Sequence, residues 1–109
     1  MPGAVVAKDK VFQALADPSR RAIFQSLTRG EAAVKDLTAR FDISQPAVSQ
    51  HLATLKEAGL VNARREGRLV YYRVRPSGMK PLFDWVAHYR AFWPEKVGRL
   101  ERLLEKMDE

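Results

Sequence analysis

Apolar residues recur every three or four positions along most of the chain, a spacing typical of amphipathic helices packed on one core. A first short helix carries Val6, Val11, Phe12 and Leu15 at this spacing. It ends before Asp17, the predicted N-cap of a second helix that begins with proline and stops at a glycine. The inward residues of this second helix are Ile23, Phe24 and Leu27.

Two arginines in the first turn of the second helix carry positive charges that a nearby negative group would have to offset. Arg20 and Arg21 lie where the helix dipole disfavours cations by roughly a few tenths of a kcal/mol. We expect Asp17 or Asp36, or a bound phosphate, to offset their charge.

A third and a fourth helix follow in close succession. The third covers about residues 32–41, and the fourth begins with Ser44 or Gln45 as its cap. The buried stripe of the fourth helix consists of Val48, Leu52 and Leu55. Gly59 suits the position just after the last turn, and Leu60 is expected to fold back onto Leu55. Both ends of this helix are therefore specified locally.

Alternating apolar residues after the fourth helix predict a β-hairpin with a two-residue turn at Glu66-Gly67. This register pairs Ala63 with Val70 and keeps the apolar side chains on one face. It also pairs Arg65 directly with Arg68, and a phosphate between them would relieve that like-charge contact.

Residues 77–107 continue the helical spacing, and Pro94 either kinks this helix or starts a new one. The apolar stripe is wider than one small domain buries, so a second copy of the chain is expected to cover part of it. The predicted dimer interface comprises Phe12, Leu82, Val86, Tyr89, Trp93, Val97, Leu100 and Leu104.

The positive charge of the chain is concentrated in its middle. The 109 residues are 46% hydrophobic, enough for one core and one domain, and carry a formal net charge of +6. Residues 44–76 hold six Lys/Arg against two Asp/Glu, whereas residues 77–109 hold six of each. The fourth helix and the hairpin are thus the basic part, which indicates a polyanionic partner.

Several classes of protein are excluded by what the sequence lacks. Cysteine is absent, which removes disulfides and thiolate metal sites. No apolar run approaches the roughly 20 residues of a membrane span, and the first residues contain no signal-like core, so we expect a cytoplasmic protein. There is no Gly-rich phosphate loop and no Ser/His/Asp set, so neither an enzyme nor a cofactor is expected.

Helix, short turn, capped helix and basic hairpin together make a winged helix-turn-helix. The expected fold is mainly α with a small β-hairpin: helix-turn-helix at about residues 32–58, wing at about 60–75, and dimerisation helices at both ends. Three segments resemble the ArsR/SmtB family of bacterial repressors, namely ALADPSRRAIFQSL, SQPAVSQHLATLKEAGLV and REGRLVYYRV.

This resemblance implies a homodimer that binds an imperfect palindrome in a promoter and is released by an effector. Metal sensors of the family place cysteines at the start of the third helix, where this chain reads GEAAVKDL. The last helix offers only Asp84 and His88, four residues apart, for which a surface hydrogen bond is favoured over a metal site. The resemblance is therefore to members without a metal-sensing site, and no metal is expected.

The residues expected to contact bases point away from the buried stripe of the fourth helix: Gln45, Ala47, Ser49, Gln50 and Thr54. Gln and Ser hydrogen-bond to base edges, and Ala suits a thymine methyl group. The alternative is an ordinary solvated helix face.

The residues expected at the DNA backbone are Ser44, His51, Arg64, Arg65, Gly67, Arg68 and Arg73. The wing arginines suit phosphate or minor-groove contact, against the alternative that they keep an edge strand soluble. His51 borders the buried face, so we expect it to be packed or to contact phosphate rather than to bind metal.

Two functions remain after these exclusions. The leading one is a sequence-specific DNA-binding transcriptional regulator, a homodimeric repressor on a palindromic operator. The alternative is a winged-helix protein–protein interaction module with weak, non-specific DNA binding. The aromatic residues Trp85, Tyr89, Phe92 and Trp93 are expected in core or dimer packing, with a pocket for an apolar effector as the alternative. A small-molecule or protein effector is left open.

Overall fold

A computed structural model describes the backbone of residues 3–92 and 94–107 and the side chains of residues 7–89 and 98–107. The helices are α1 Gly3–Ala16, α2 Pro18–Thr28, α3 Val34–Phe41, α4 Gln45–Glu57, α5 Lys80–Phe92 and α6 Pro94–Met107. The strands are β1 Ala32–Ala33, β2 Val61–Glu66 and β3 Leu69–Val74, and a 3-10 turn covers Pro76–Met79. The chain is mainly helical with a small sheet, as predicted.

One core joins α1, α2, α3 and α4 to the inner face of the sheet. Its buried side chains are Val11, Ala14, Ile23, Leu27, Ala32, Leu37, Val48, Leu52, Leu55, Leu60 and Val61. The inward positions predicted for α4 are all fully buried, whereas Phe24 of α2 is partly buried and packs at the edge. No helix in the described ranges is long and apolar enough to cross a membrane.

The sheet has a third strand that the hydrophobic pattern did not predict. Ala32 and Ala33 pair antiparallel with Tyr72 and Tyr71, which gives the strand order β1-β3-β2. We expected these alanines to open the third helix, but that helix begins at Val34. Their extended backbone instead covers the free edge of β3, whose hydrogen-bonding groups would otherwise face solvent.

The predicted hairpin register is wrong by two residues. Ala63 pairs with Tyr72 and Arg65 with Val70, so the expected Arg65–Arg68 contact does not form. The turn lies at Gly67-Arg68 because its first residue needs a positive φ, which Gly67 adopts at +62° and glutamate resists. A shift of two residues leaves every side chain on its predicted face, so alternation could not reveal the error.

Asp17 attracts Arg20 as expected, but backbone carbonyls that we did not expect also offset the charges of Arg20 and Arg21. Arg20 Nε donates to the Ala14 carbonyl at 2.7 Å, and Arg21 Nη1 donates to the Leu15 carbonyl at 2.7 Å. Asp17 caps α2 as predicted, by accepting a hydrogen bond from the Arg20 backbone N–H at 3.0 Å. The two cations therefore lie at the negative end of α1, which balances their position at the positive end of α2.

Candidate nucleic-acid interface

Helix α4 is fixed at both ends by local hydrogen bonds. Ser44 Oγ accepts from the Ala47 N–H at 3.2 Å, which confirms the predicted N-cap. At the other end Gly59 has a φ of +81°, and the Leu60 N–H donates to the Leu55 carbonyl at 3.0 Å. This is a Schellman ending, in which the first residue after the cap takes a left-handed conformation. The fully buried stripe then determines which side of α4 faces outward.

Four of the five residues predicted to contact bases lie in the first half of α4. Gln45, Ser49 and Gln50 are exposed, and Ala47 is half-buried. Thr54 lies apart from them: it is half-buried, and its hydroxyl donates to the Gln50 carbonyl at 3.1 Å. It lines a shallow cleft against α1 and α2 rather than the outer face. Its contact with a base stays a prediction, as do the other four.

Two further residues share the outer face of α4. Pro46 and Ala53 are exposed and flank Gln50 at spacings of four and three residues, so the three lie on one side of the helix. Both offer apolar surface of the kind that meets a thymine methyl group. Helical spacing from the buried stripe places both residues on this face, so the sequence alone contains the signal.

His51 lies at the border of the core. It is half-buried, and its Nδ1 is buried without a hydrogen-bond partner in the described part of the chain. The pKa of Asp17 is lowered, chiefly by the hydrogen bond that its carboxylate accepts from the Arg20 N–H. Ser44, which caps the start of α4, is exposed. Backbone contact by either residue stays a prediction.

The tip of the wing presents two arginines, Arg65 and Arg68. Arg65 and Arg68 are both exposed, on either side of Gly67, and neither forms an ion pair within the described residues. Arg73 is exposed further along β3, opposite Asn62. Cationic side chains that are not engaged within the protein are free to neutralise phosphates.

Arg64 differs from the other wing arginines because two carboxylates hold it. Its Nε lies 2.9 and 3.1 Å from the two carboxylate oxygens of Glu31, and its Nη1 lies 2.8 Å from Glu66 Oε2. The guanidinium carbon is 4.6 Å from the centre of the Tyr71 ring, a cation–π distance. The hydrogen bond from Arg64 lowers the pKa of Glu31, and the same carboxylates raise the pKa of Arg64. Arg64 therefore links the wing to Glu31, the residue just before β1.

The surface predicted for dimerisation is largely apolar and exposed. Phe12 meets Trp85 edge-on at 5.2 Å between ring centres, and Trp85 meets Tyr89 at 4.8 Å. The exposed large apolar residues are Phe12, Phe83, Trp85, Val86, Tyr89, Leu100, Leu103, Leu104 and Met107. Leu82 is partly buried against the core of its own chain. Trp93 and the side chains of Phe92 and Val97 lie outside the described residues.

Asp84 and His88 take part in separate contacts. Asp84 accepts from Lys80 Nζ at 2.8 Å, one helical turn away, and His88 meets Tyr89 edge-on at 5.5 Å between ring centres. Within the described residues no group of three or more His, Asp or Glu side chains is placed to hold a metal ion.

A capped helix with an outer face of small and polar residues, packed beside a hairpin with an arginine-bearing tip, defines a winged-helix DNA-binding protein. The family model described as "bacterial regulatory protein, arsR family" matches residues 17–63. The chain belongs to the ArsR family of transcriptional regulators. It is a DNA-binding regulator and, like its family, not an enzyme.

Known relatives support this assignment over most of the chain. The transcriptional repressor SdpR of Bacillus subtilis is 32% identical over 74% of this chain and 90% of its own length. An HTH-type transcriptional regulator of Mycobacterium tuberculosis is 46% identical over 68% of this chain and 69% of its own. A solved ArsR family transcriptional regulator superposes with a TM-score of 0.78 and 29% identity, covering 87% of this chain and 98% of that one. The predicted fold class and family are therefore confirmed.

Proposed function

We propose that this protein is a homodimeric repressor that acts in the cytoplasm on a palindromic promoter operator. The observation that carries the proposal is the pairing of α4, on which Gln45, Ser49 and Gln50 are exposed, with the arginine-bearing wing tip. Arg65 and Arg68 at this tip have no carboxylate partner among the described residues. The helix suits a major groove, and the wing suits the flanking backbone. Relatives named as repressors support the direction of control.

The apolar surface of α1, α5 and α6 supports the dimer. Leu100, Leu103 and Leu104 are each more than half exposed, on a helix whose opposite side is polar. Exposed large apolar side chains grouped on one side of a helix are typical of an interaction site. In a symmetric dimer the two α4 helices would read successive major grooves about 34 Å apart.

Two sets of residues would have different roles in DNA recognition. Gln45, Ser49 and Gln50 would read base edges, while Arg65 and Arg68 would neutralise phosphates without regard to sequence. Specificity then resides in α4, whereas most of the affinity resides in the wing.

The test is a mobility-shift titration on the DNA upstream of the gene, against a scrambled duplex of equal length, with the solution mass measured in parallel. We expect a dimer that prefers the upstream DNA and whose affinity falls steeply with salt. Gln50→Ala should lose about 1–3 kcal/mol of discrimination per half-site between the two duplexes. Equal, weak binding to both duplexes would instead favour the alternative of a protein-interaction module with weak, non-specific DNA binding.

A further inference from the structure

A cavity of about 660 Å³ lies where four parts of the chain meet. It is bounded by α1, the C-terminal end of α4, the 3-10 turn and the start of α5, and its wall includes Ala58, Gly59, Pro81 and Trp85. Small-molecule sites in proteins typically measure about 300–1,000 Å³ and combine apolar walls with a few polar groups. This cavity has the right size and lies away from the outer face of α4.

The charge of the cavity is positive. Its ionisable residues are Lys8, Arg75, Lys80 and Asp84. Lys80 is paired with Asp84 at 2.8 Å, so these two charges cancel. Lys8 Nζ lies 5.9 Å from the centre of the Trp85 ring, and neither Lys8 nor Arg75 is paired with a carboxylate in the part of the chain described. The cavity therefore contains two cations with no carboxylate partner among the described side chains, together with the aromatic ring of Trp85.

Arg75 is positioned by the end of α4. Gly59 has no side chain, and a Cβ placed there would lie 3.2 Å from Arg75 Nη1, so the guanidinium lies directly over this glycine. The Arg75 backbone N–H donates to the Leu60 carbonyl at 2.9 Å, which joins the end of β3 to the start of β2. The buried Gly78 packs against Gly59 and Leu60 on the same side. A ligand beside Arg75 would thus contact the end of α4 and the base of the wing together.

We propose that this cavity binds a small aromatic anion, a carboxylate or a sulfonate, and that its binding changes the affinity for DNA. The anionic group pairs with Arg75 and Lys8, because charge-assisted hydrogen bonds to a guanidinium are the strong ones. The ring of the ligand packs against Trp85. The regulatory part of this inference rests on the proposed function, whereas the binding site does not.

The binding test uses 8-anilinonaphthalene-1-sulfonate as the probe, by fluorescence titration of the full chain. Arg75→Gln should raise its Kd about tenfold or more, the loss expected for one charge-assisted hydrogen bond. Arg29→Gln is the matched control, since Arg29 is also exposed at the end of a helix but lines a different part of the surface. The uncharged analogue N-phenyl-1-naphthylamine should not distinguish the two variants. Thermal unfolding of each variant verifies that it is folded.

The inference is overturned if the sulfonate probe fails to bind, or if both variants bind it like the unmodified chain. A second readout concerns regulation: saturating probe should change the Kd for upstream DNA about fivefold or more in the unmodified chain, but not in Arg75→Gln. An unchanged Kd would overturn the regulatory part. Probe binding that depends on Arg75 in a protein that binds no DNA would leave the site established and contradict the proposed function instead.

Discussion

The ion pairs of the wing predict that two adjacent arginines contribute unequally to DNA binding. Arg65 has no carboxylate partner among the described residues, whereas Arg64 is held by Glu31 and Glu66 and stacks on Tyr71. A phosphate competing for Arg64 would have to displace two carboxylates. We therefore expect Arg65→Gln to remove a phosphate contact and Arg64→Gln to remove none.

The magnitude follows from counterion release. Each phosphate contact contributes a slope of about −0.9 to log K against log salt, so a dimer that loses the Arg65 contact twice loses about 1.8 units of slope. Between about 50 and 200 mM salt, the unmodified chain should therefore lose about 12-fold more affinity than Arg65→Gln. Arg64→Gln should change the slope by less than half as much.

Fluorescence anisotropy of labelled upstream and scrambled duplexes, at four salt concentrations, measures these slopes. Both variants should keep the preference for the upstream duplex, because phosphate contacts carry no direct sequence information. Equal slopes for Arg65→Gln and the unmodified chain would refute the role of Arg65. A loss of slope in Arg64→Gln as large as in Arg65→Gln would show that the carboxylates do not withhold Arg64 from DNA.

Three further predictions concern stability. Leu52→Ala should cost about 2–5 kcal/mol in urea unfolding, because Leu52 is fully buried on the inner side of α4; a cost below about 1 kcal/mol would contradict this core position. Gly78→Ala should cost about 1–3 kcal/mol, because its Cβ would lie 2.9 Å from Leu60 Cα, whereas Ser77→Ala, next to it and exposed, should cost little. The lowered pKa of Glu31 means that its ion pair is fully present above the ordinary glutamate pKa and is lost as pH falls through the lowered value. Glu31→Gln should therefore flatten the decline in unfolding free energy below about pH 4, and an unchanged decline would count against the ion pair.

The structural features that the sequence predicted correctly depend on residues that lie close together along the chain. The ends of α4 depend on Ser44, Gly59 and Leu60, each within six residues of its hydrogen-bond partner, and all three predictions were confirmed. The buried stripe of α4 was predictable for the same reason, since helical spacing alone puts Val48, Leu52 and Leu55 on one side. The concentration of positive charge in residues 44–76 likewise needed no structure.

The tertiary structure decided features that depend on distant residues or on turn conformation. Two alanines carry too little pattern to indicate a strand, and only their pairing with β3 makes Ala32–Ala33 one. Arg64 could not be told from Arg65 in the sequence, because its partner Glu31 lies 33 residues away. The alternation of apolar residues could not distinguish the two hairpin registers, because a shift of two residues keeps every side chain on the same face. The positive φ of Gly67 determines which register forms. Local hydrogen bonds and periodicity are encoded in short segments, whereas ion pairs, strand edges and cavities exist only once distant segments are packed together.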